Sequence, residues 1–547
     1  MIVEPSRAAK QRLYTLLALT LFAVIIFSFG LGRLALVGPD EPRYSEVARE
    51  MFATGDYVSP RLCDCLWFEK PVLLYWLAAA SYHLFGVSEF AARFPSVVAA
   101  ILTMMFVYYG LKRAVCERLA FAASIAFMTS GLVIAYARVA TPDILLTAAM
   151  SVALLSGYLA ATASGRARTA HWILCFAAMG AAVLAKGLVG IALVAAIFAV
   201  YFAVMRQPQF IRWREALIGI AVFLIIAGMW YAPVTFRHGW GFIEEFFIRH
   251  HFQRYTSNEF GHPQPFYFFF VIAIAGIAPW SFFLMPAAAR LKSLKPGSHR
   301  LDALLVFAWI WVAVPLLFFS ASGSKLPGYI LPIFPALAII IGAELERFIK
   351  GERSGLLTAA VWLTALLLLT IGAGFVVYLT REQIGASGWH SIFFGLPLAF
   401  AAIAVAVLAK KRRQIFVMSA AGVMLSLVLG AAILLLPTLS DKLTLKSLSL
   451  EAAAALRPAE RITFFIKKEF APVFYAEGRV LCGGADSDIL NALSEDILAD
   501  ALRNESSLIV ITTSNWRKGL ESDPRFVTEL LATQGDALAF RVWLTKY

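Results

Sequence analysis

Apolar stretches long enough to cross a bilayer as a helix recur from residue 13 to residue 437, parted by short polar connections. They lie near 13–36, 90–111, 118–137, 144–163, 170–185, 188–205, 216–233, 265–288, 303–321, 329–346, 356–379, 391–409 and 415–437. A soluble chain with this pattern would expose far too much apolar surface, so the pattern predicts a polytopic α-helical membrane protein. Thirteen spans place the two termini on opposite sides. The first run follows Arg7, Lys10 and Arg12, is long for a cleavable signal, and has no small-residue cleavage site after it.

One further apolar stretch, 71–85, has only 15 residues and would be about 22 Å long as a helix. Reading it as an interfacial helix preserves the distribution of basic residues; a crossing there would invert every later loop. Alternate connections, starting at the N-terminus, gather 22 Lys and Arg residues: 7, 10, 12; 112, 113, 118; 166, 168; 206, 212, 214; 290, 292, 295, 300; 347, 350, 353; and 410–413. The positive-inside rule then sets the N-terminus in the cytoplasm and the C-terminus outside.

After Pro437 the pattern changes. Residues 440–547 mix charged and apolar positions, with strand-like runs at 461–466, 506–513 and 538–544 and helical character over 488–502 and 519–533. The predicted organisation is a membrane-spanning catalytic part, 1–438, with an outer interfacial segment at 37–89, followed by a soluble α/β domain at 439–547. That domain is expected outside, in the bacterial periplasm if the chain sits in an inner membrane.

Composition sharpens the class. Apolar residues make up 60% of the chain, charged residues 15%, and the mean hydropathy is +0.75. Soluble domains run near 45–50% and 25%. The net charge of +13 would point to nucleic acid in a soluble protein, but here it is the loop placement that uses it, so no nucleic-acid partner is expected. Five cysteines are too few and too scattered for a disulfide scaffold, and Cys63 and Cys65 are left as thiols or a strained local bridge.

The few charges outside the inner loops fall at one outer level. Asp40 and Glu41 sit between prolines at the end of the first run, and Arg43, Glu46, Arg49 and Glu50 follow at helical spacing. Self-paired charges on a polar juxtamembrane helix are the simpler reading for Glu46 and Glu50. Glu69 and Lys70 open the interfacial segment, where Lys70 either attracts a lipid phosphate or snorkels to headgroups. Arg138 and Asp143 flank Ala140-Thr141-Pro142; Lys186 precedes Gly187; 234–264 carries Glu244, Glu245, His250, His251 and Arg254; and Lys325 stands in a Gly/Pro-rich loop ending at Tyr329. Charges kept at one depth in a chain this apolar point to a reaction site for an anionic amphiphile.

The segments GPDEPRYSEVAREM (38–51), FEKPVLLYWL (68–77), ARVATPD (137–143), LAKG (184–187) and SGSKLPGY (322–329) resemble the bacterial aminoarabinose transferases that modify lipid A. Those enzymes belong to the protein-mannosyltransferase-like, GT-C-type membrane glycosyltransferases. The resemblance implies an undecaprenyl phosphate-linked 4-amino-4-deoxy-L-arabinose donor, a lipid A phosphate acceptor, inversion at the anomeric carbon, and no nucleotide. It places the first-loop acid on Asp40, the second acid on Asp143, and the lipid-phosphate lysine on Lys70. Arg254, Lys186 and Lys325 become further phosphate-binding candidates, and Glu41, Arg43, Tyr44 and Tyr329 candidates for orienting the sugar. It also implies a divalent metal, zinc by preference, at Glu69 and His250. Two protein ligands are too few for a closed zinc site, so water, substrate, Glu244 or His251 would have to complete it. Membrane lipids are the remaining expected partners, with no obligate protein partner.

Two other readings compete. Transfer of a different polyprenyl-linked sugar to a hydroxyl would press Asp40 into service as a general base. A lipid-linked sugar transporter would place its charges near the bilayer midplane and show an inverted repeat, and neither feature is evident.

Overall fold

The computed structural model describes residues 7–206, 211–253, 263–295, 299–381, 413–466, 469–481 and 492–545, together with 395 and 399. They form two compact units. The first comprises 1–29, 69–73 and 95–434; the second joins 30–68 and 74–94 to 435–547.

The first unit is helical, and the second contributes Asp40–Thr54, nearly all of Leu73–Phe85 and the start of Glu89–Ala114 to the helices that follow. Ten helices carry the early part of the chain: α1 (Arg7–Ser28), α2 (Asp40–Thr54), α3 (Leu73–Phe85), α4 (Glu89–Ala114), α5 (Glu117–Met128), α6 (Gly131–Ala137), α7 (Pro142–Thr162), α8 (Gly165–Lys186), α9 (Val189–Val204) and α10 (Trp213–Ile243). Further helices follow at Phe268–Gly276, Leu284–Leu291, Arg300–Ser320, Phe334–Lys350, Gly355–Arg381 and Arg413–Gly430. Among the described residues, eight helical stretches are long and apolar enough to cross a membrane. Two bent pairs bring that number to ten if each is one span, and Leu13–Ser28, Leu73–Phe85 and Val189–Val204 are shorter apolar helices. The predicted run 391–409 lies outside the described residues.

Two predicted spans are bent. Residues 118–137 form α5 and α6, which meet at 66°, and 265–288 breaks between Phe268–Gly276 and the helix starting at Trp280, at 108°. At the first bend the Thr129 and Ser130 hydroxyls donate to the carbonyls of Ile125 and Ala126, competing with the backbone ladder. Pro279 interrupts the second. The bends are tied together: Trp280 Nε1 donates to Thr129 Oγ1 at 2.8 Å, and the Gly131 N–H to the Ala278 carbonyl at 3.0 Å.

In the second unit, α2 packs beside a short hairpin of β1 (Arg61–Leu62) and β2 (Cys65–Leu66). Cys63 and Asp64 make its two-residue turn with φ of 53° and 67°, the left-handed geometry that matches strand twist. Glu50 accepts both turn N–H groups, at 2.5 and 3.2 Å. Cys63 and Cys65 carry thiols, not a disulfide. On α3, Leu74, Tyr75, Ala78 and Tyr82 are buried, while Leu77 and Leu84 face outward.

The C-terminal sheet has the order β4-β3-β5-β7-β6, built from β3 (Arg461–Phe465), β4 (Ala492–Leu493), β5 (Leu508–Thr513), β6 (Phe526–Gln534) and β7 (Ala537–Leu544). β3 runs parallel to β4 and β5; β7 is antiparallel to β5 and β6. Helix Glu495–Asn504 lays Leu498 and Leu502 on Phe465, Leu508, Val510 and Phe540. The expected helix over 519–533 stops at Ser522, and 526–534 is strand. Gly535 and Asp536 close a two-residue hairpin turn onto β7, and that pairing outweighs the helical spacing. Beneath the sheet, burial alone would raise the Glu460 carboxyl. Hydrogen bonds from Ser507, the Arg457 N–H and Arg541 together bring it below its ordinary value.

Candidate functional site

In the first unit the site is built where α7 begins, α8 ends and the 322–329 loop returns. Pro142 takes the first position of α7, where its missing N–H costs nothing, and Asp143 follows in the first turn, where the helix dipole favours an acid. Upstream, Arg138 donates to the carbonyls of Ile26, Phe27 and Phe29, and Ser96 Oγ to that of Val139. The polar groups around 138–143 are thus divided: Arg138 closes the end of α1, and Asp143 is left to the site.

Lys186 is the last residue of α8. Gly187, at φ 76°, stops the helix with its N–H on the Val183 carbonyl, so the chain turns away and the lysine projects beyond it. The Lys186 ammonium donates to Asp143 Oδ1 and lies 4.6 Å from the centre of the Tyr329 ring. A cation above an aromatic face and beside a carboxylate is doubly stabilised in a low-dielectric setting. Gly328 makes the packing feasible, because a Cβ there would fall 2.6 Å from Tyr136 and 2.8 Å from the Asp143 carboxyl carbon.

Lys325 is buried and donates to the Ser322 carbonyl at 2.5 Å. The hydroxyls of Thr141 and Ser324 are buried with no hydrogen-bond partner among the described residues. Lys70 donates to Glu69 at 2.6 Å, with both side chains largely buried. His250 lies in the helical turn Glu244–Gln253, its side chain outside the described residues, and His251's side chain and Arg254 are outside them too.

In the second unit Asp40 opens α2 and accepts Arg43 Nη2 at 2.6 Å. Arg43 also donates to the Pro39 carbonyl at 2.9 Å. Glu41, 1% exposed, receives Arg93 on both oxygens at 2.8 Å and the Val37 N–H at 2.9 Å. Tyr44 is buried with its ring 6.2 Å from that of Tyr75. Glu46 pairs with Arg49 through two 2.7 Å bonds. Burial nonetheless raises its carboxyl to about 7 against the pull of Arg49. Glu50 serves the hairpin turn instead of a neighbouring cation.

Sequence reasoning passed over Arg93, Ser440 and Tyr475, all of which hold the approach to Asp40. Arg93 gave a usable signal, a lone arginine inside an apolar run. The other two gave none, since a serine just past the last apolar run and a tyrosine within the expected soluble domain are unremarkable.

Of the two residues suggested for a divalent metal, only the Glu69 side chain lies among the described residues. Among the described residues no three His, Cys, Asp or Glu side chains gather in one place, and Glu69 already receives the Lys70 ammonium.

Comparison with known proteins gives matches of three kinds: a family profile, whole sequences and a solved structure. The sequence profile of dolichyl-phosphate-mannose-protein mannosyltransferases matches residues 69–231. The undecaprenyl phosphate-alpha-4-amino-4-deoxy-L-arabinose arabinosyl transferase of Aeromonas salmonicida is 30% identical over 380 residues, covering 69% of this chain and 67% of that one. Its counterpart in Pectobacterium carotovorum is 31% identical over 435 residues, covering 77% and 76%. Among solved structures, ArnT from Cupriavidus metallidurans bound to undecaprenyl phosphate superposes with a TM-score of 0.79 at 25% identity, over 97% of this chain and 98% of that chain.

Proposed function

The chain belongs to the family of undecaprenyl phosphate-alpha-4-amino-4-deoxy-L-arabinose arabinosyl transferases, and from that membership we propose that it moves 4-amino-4-deoxy-L-arabinose from undecaprenyl phosphate to a phosphate of lipid A. It works as a multi-pass protein of the bacterial inner membrane, with the N-terminus cytoplasmic and the active site and C-terminus periplasmic. Residues 1–438 carry thirteen spans and the chemistry, and 439–547 the soluble domain. The gathering of 22 basic residues in alternate loops supports that orientation.

An oxygen of the acceptor phosphate attacks the anomeric carbon as the bond from that carbon to the undecaprenyl phosphate oxygen breaks. The electron pair leaves with the polyprenyl phosphate, and the configuration inverts. The acceptor is already anionic near neutral pH, so no general base has to create the nucleophile. The obstacle is repulsion between two phosphates, about 4 kcal/mol for unit charges 4 Å apart at an effective dielectric of 20. Cations aimed at both anions relieve it and stabilise the charge that develops on the leaving group.

Lys70 and Arg254 bind the donor phosphate in this reading, and Lys325 and Lys186 the incoming one. Asp143 and Asp40 orient the amine of the sugar or stabilise positive character at its ring, with Arg43, Tyr44 and Tyr329 shaping the sugar's surroundings. Glu41 acts at one remove, through Val37 and Arg93. The observation that carries the reading is the buried Asp143–Lys186 pair beneath Tyr329: an acid and an ammonium held together on the segments that bear the family motifs. A divalent ion at Glu69 and His250, which the resemblance implies, enters no step.

The test is mass spectrometry of lipid A after incubation of purified protein with defined polyprenyl phosphate sugars. An added aminoarabinose mass supports the assignment; transfer of another sugar in preference overturns it. Lys70→Ala should cost ~2–3 kcal/mol of transition-state stabilisation, roughly 30–150-fold in kcat/KM. Near-wild-type turnover by folded Lys70→Ala removes that lysine from the mechanism, and unchanged turnover by Asp40→Asn removes Asp40.

A further inference from the structure

The segment that leads into Asp40 is held by side chains, not by a helix or a sheet. Three successive N–H groups each donate to a side-chain oxygen: Ala35 to the Ser440 hydroxyl at 3.1 Å, Leu36 to the Tyr475 hydroxyl at 3.0 Å, and Val37 to Glu41 Oε2 at 2.9 Å. The carbonyls of Leu31, Leu34 and Ala35 all accept from Arg93, at 2.6–2.9 Å. Ala35 and Leu36 are buried, so an N–H that loses its partner there cannot turn to water.

Tyr475 is more than an acceptor. Its hydroxyl donates to Glu89 Oε1 at 3.1 Å, and Lys446 reaches the same oxygen at 2.5 Å. The phenol therefore joins the Leu36 backbone to a charged pair and is fixed from both sides. A third contact acts on the acid's own partner: the Arg43 guanidinium lies 5.2 Å from the centre of the Phe470 ring and 5.6 Å from that of Trp67. Ser440, Phe470 and Tyr475 all come after the last apolar run of the sequence.

We infer that Tyr475 is a positioning residue for Asp40, and that the C-terminal part of the chain serves the transfer by fixing the corner from which Asp40 projects. The inference rests on the reading of Asp40 as a group that arranges the sugar. It assigns the soluble domain a task that needs no catalytic side chain of its own. A carboxylate displaced by a fraction of an ångström still lets donor bind but loses its aim at the reacting carbon, so kcat should suffer and KM should not.

The test uses the full-length enzyme in nanodiscs with undecaprenyl phosphate-aminoarabinose and lipid A. Tyr475→Phe removes only the hydroxyl. It should lower kcat by about tenfold with donor KM unchanged within about twofold, and should speed hydrogen exchange over residues 31–40. In the Asp40→Asn background the same change should remove little further turnover, because the two act through one group. Wild-type kcat in Tyr475→Phe, alongside a crippled Asp40→Asn, overturns the inference and leaves the role of Asp40 standing. Wild-type kcat in Asp40→Asn overturns both. Should Tyr475→Phe fail to fold, Ser440→Ala takes its place, since it deletes only the acceptor for the Ala35 N–H.

Discussion

The ammonium of Lys186 is bonded to Asp143 and sits over Tyr329, so a phosphate that approaches it must compete with a carboxylate for the same charge. The pair keeps both ions tolerable in a buried place, where either one alone would cost several kcal/mol. Gly328 fixes how closely they can sit. Gly328→Ala puts a methyl group 2.8 Å from the Asp143 carboxyl carbon, too near to be absorbed without displacing it. We expect kcat to fall at least about tenfold, with a lower melting temperature from the crowding of Tyr136 and Asp143; steady-state turnover beside a thermal-shift assay checks this. At this scale Asp143 and Lys186 stood out as candidates, because charged residues are conspicuous in an apolar sequence. Their direct bond was not, since 42 intervening residues separate them in the chain and spacing says nothing across two helices. Arg93 carried the same signal of isolated charge and was passed over; it faces backbone carbonyls and Glu41, a structural duty that sequence alone does not distinguish from a catalytic one.

At the level of elements, apolar length located helices well and said little about bends. The break at 129–130 turns on two hydroxyls and a tryptophan 151 residues further along the chain, and no local window contains that contact. The strand over 526–534 shows the opposite failure: its helical spacing is real, but Gly535-Asp536 supplies a hairpin turn and β7 a partner. The C-terminal sheet also carries a pH signature. Glu460 is held below its ordinary value of 4.5, so its ionised form stabilises the fold fully above that value, and the benefit is lost as pH falls through the lower folded value. Melting of the protein followed by circular dichroism should therefore show stability declining below about pH 4.5. Glu460→Gln should flatten that decline, while lowering stability at neutral pH because Arg541 then lacks its buried carboxylate.

For the whole molecule, the distribution of basic residues is the feature most open to direct measurement. With the five native cysteines replaced, single cysteines at Ser293 and Ser522, both exposed, should label from opposite sides of the membrane. An impermeant maleimide should reach Ser522→Cys in intact spheroplasts and Ser293→Cys only after lysis. Labelling of both from outside would overturn the topology.

The second unit has a history built into its connectivity. Its pieces are residues 30–68, 74–94 and 435–547, so the ribosome completes the first two and then makes 95–434 before the third exists. At about 5–20 residues per second that interval lasts roughly 20–70 s. Throughout it the Ala35 and Leu36 N–H groups await Ser440 and Tyr475, and Glu89 awaits Lys446. The corner bearing Asp40 is thus among the first parts to be synthesised and among the last to be set. If Asp40 acts as inferred, a chain that stops at residue 434 should insert its helices and still lack the bonds that hold this acid, so the stretch made last sets the group made among the first.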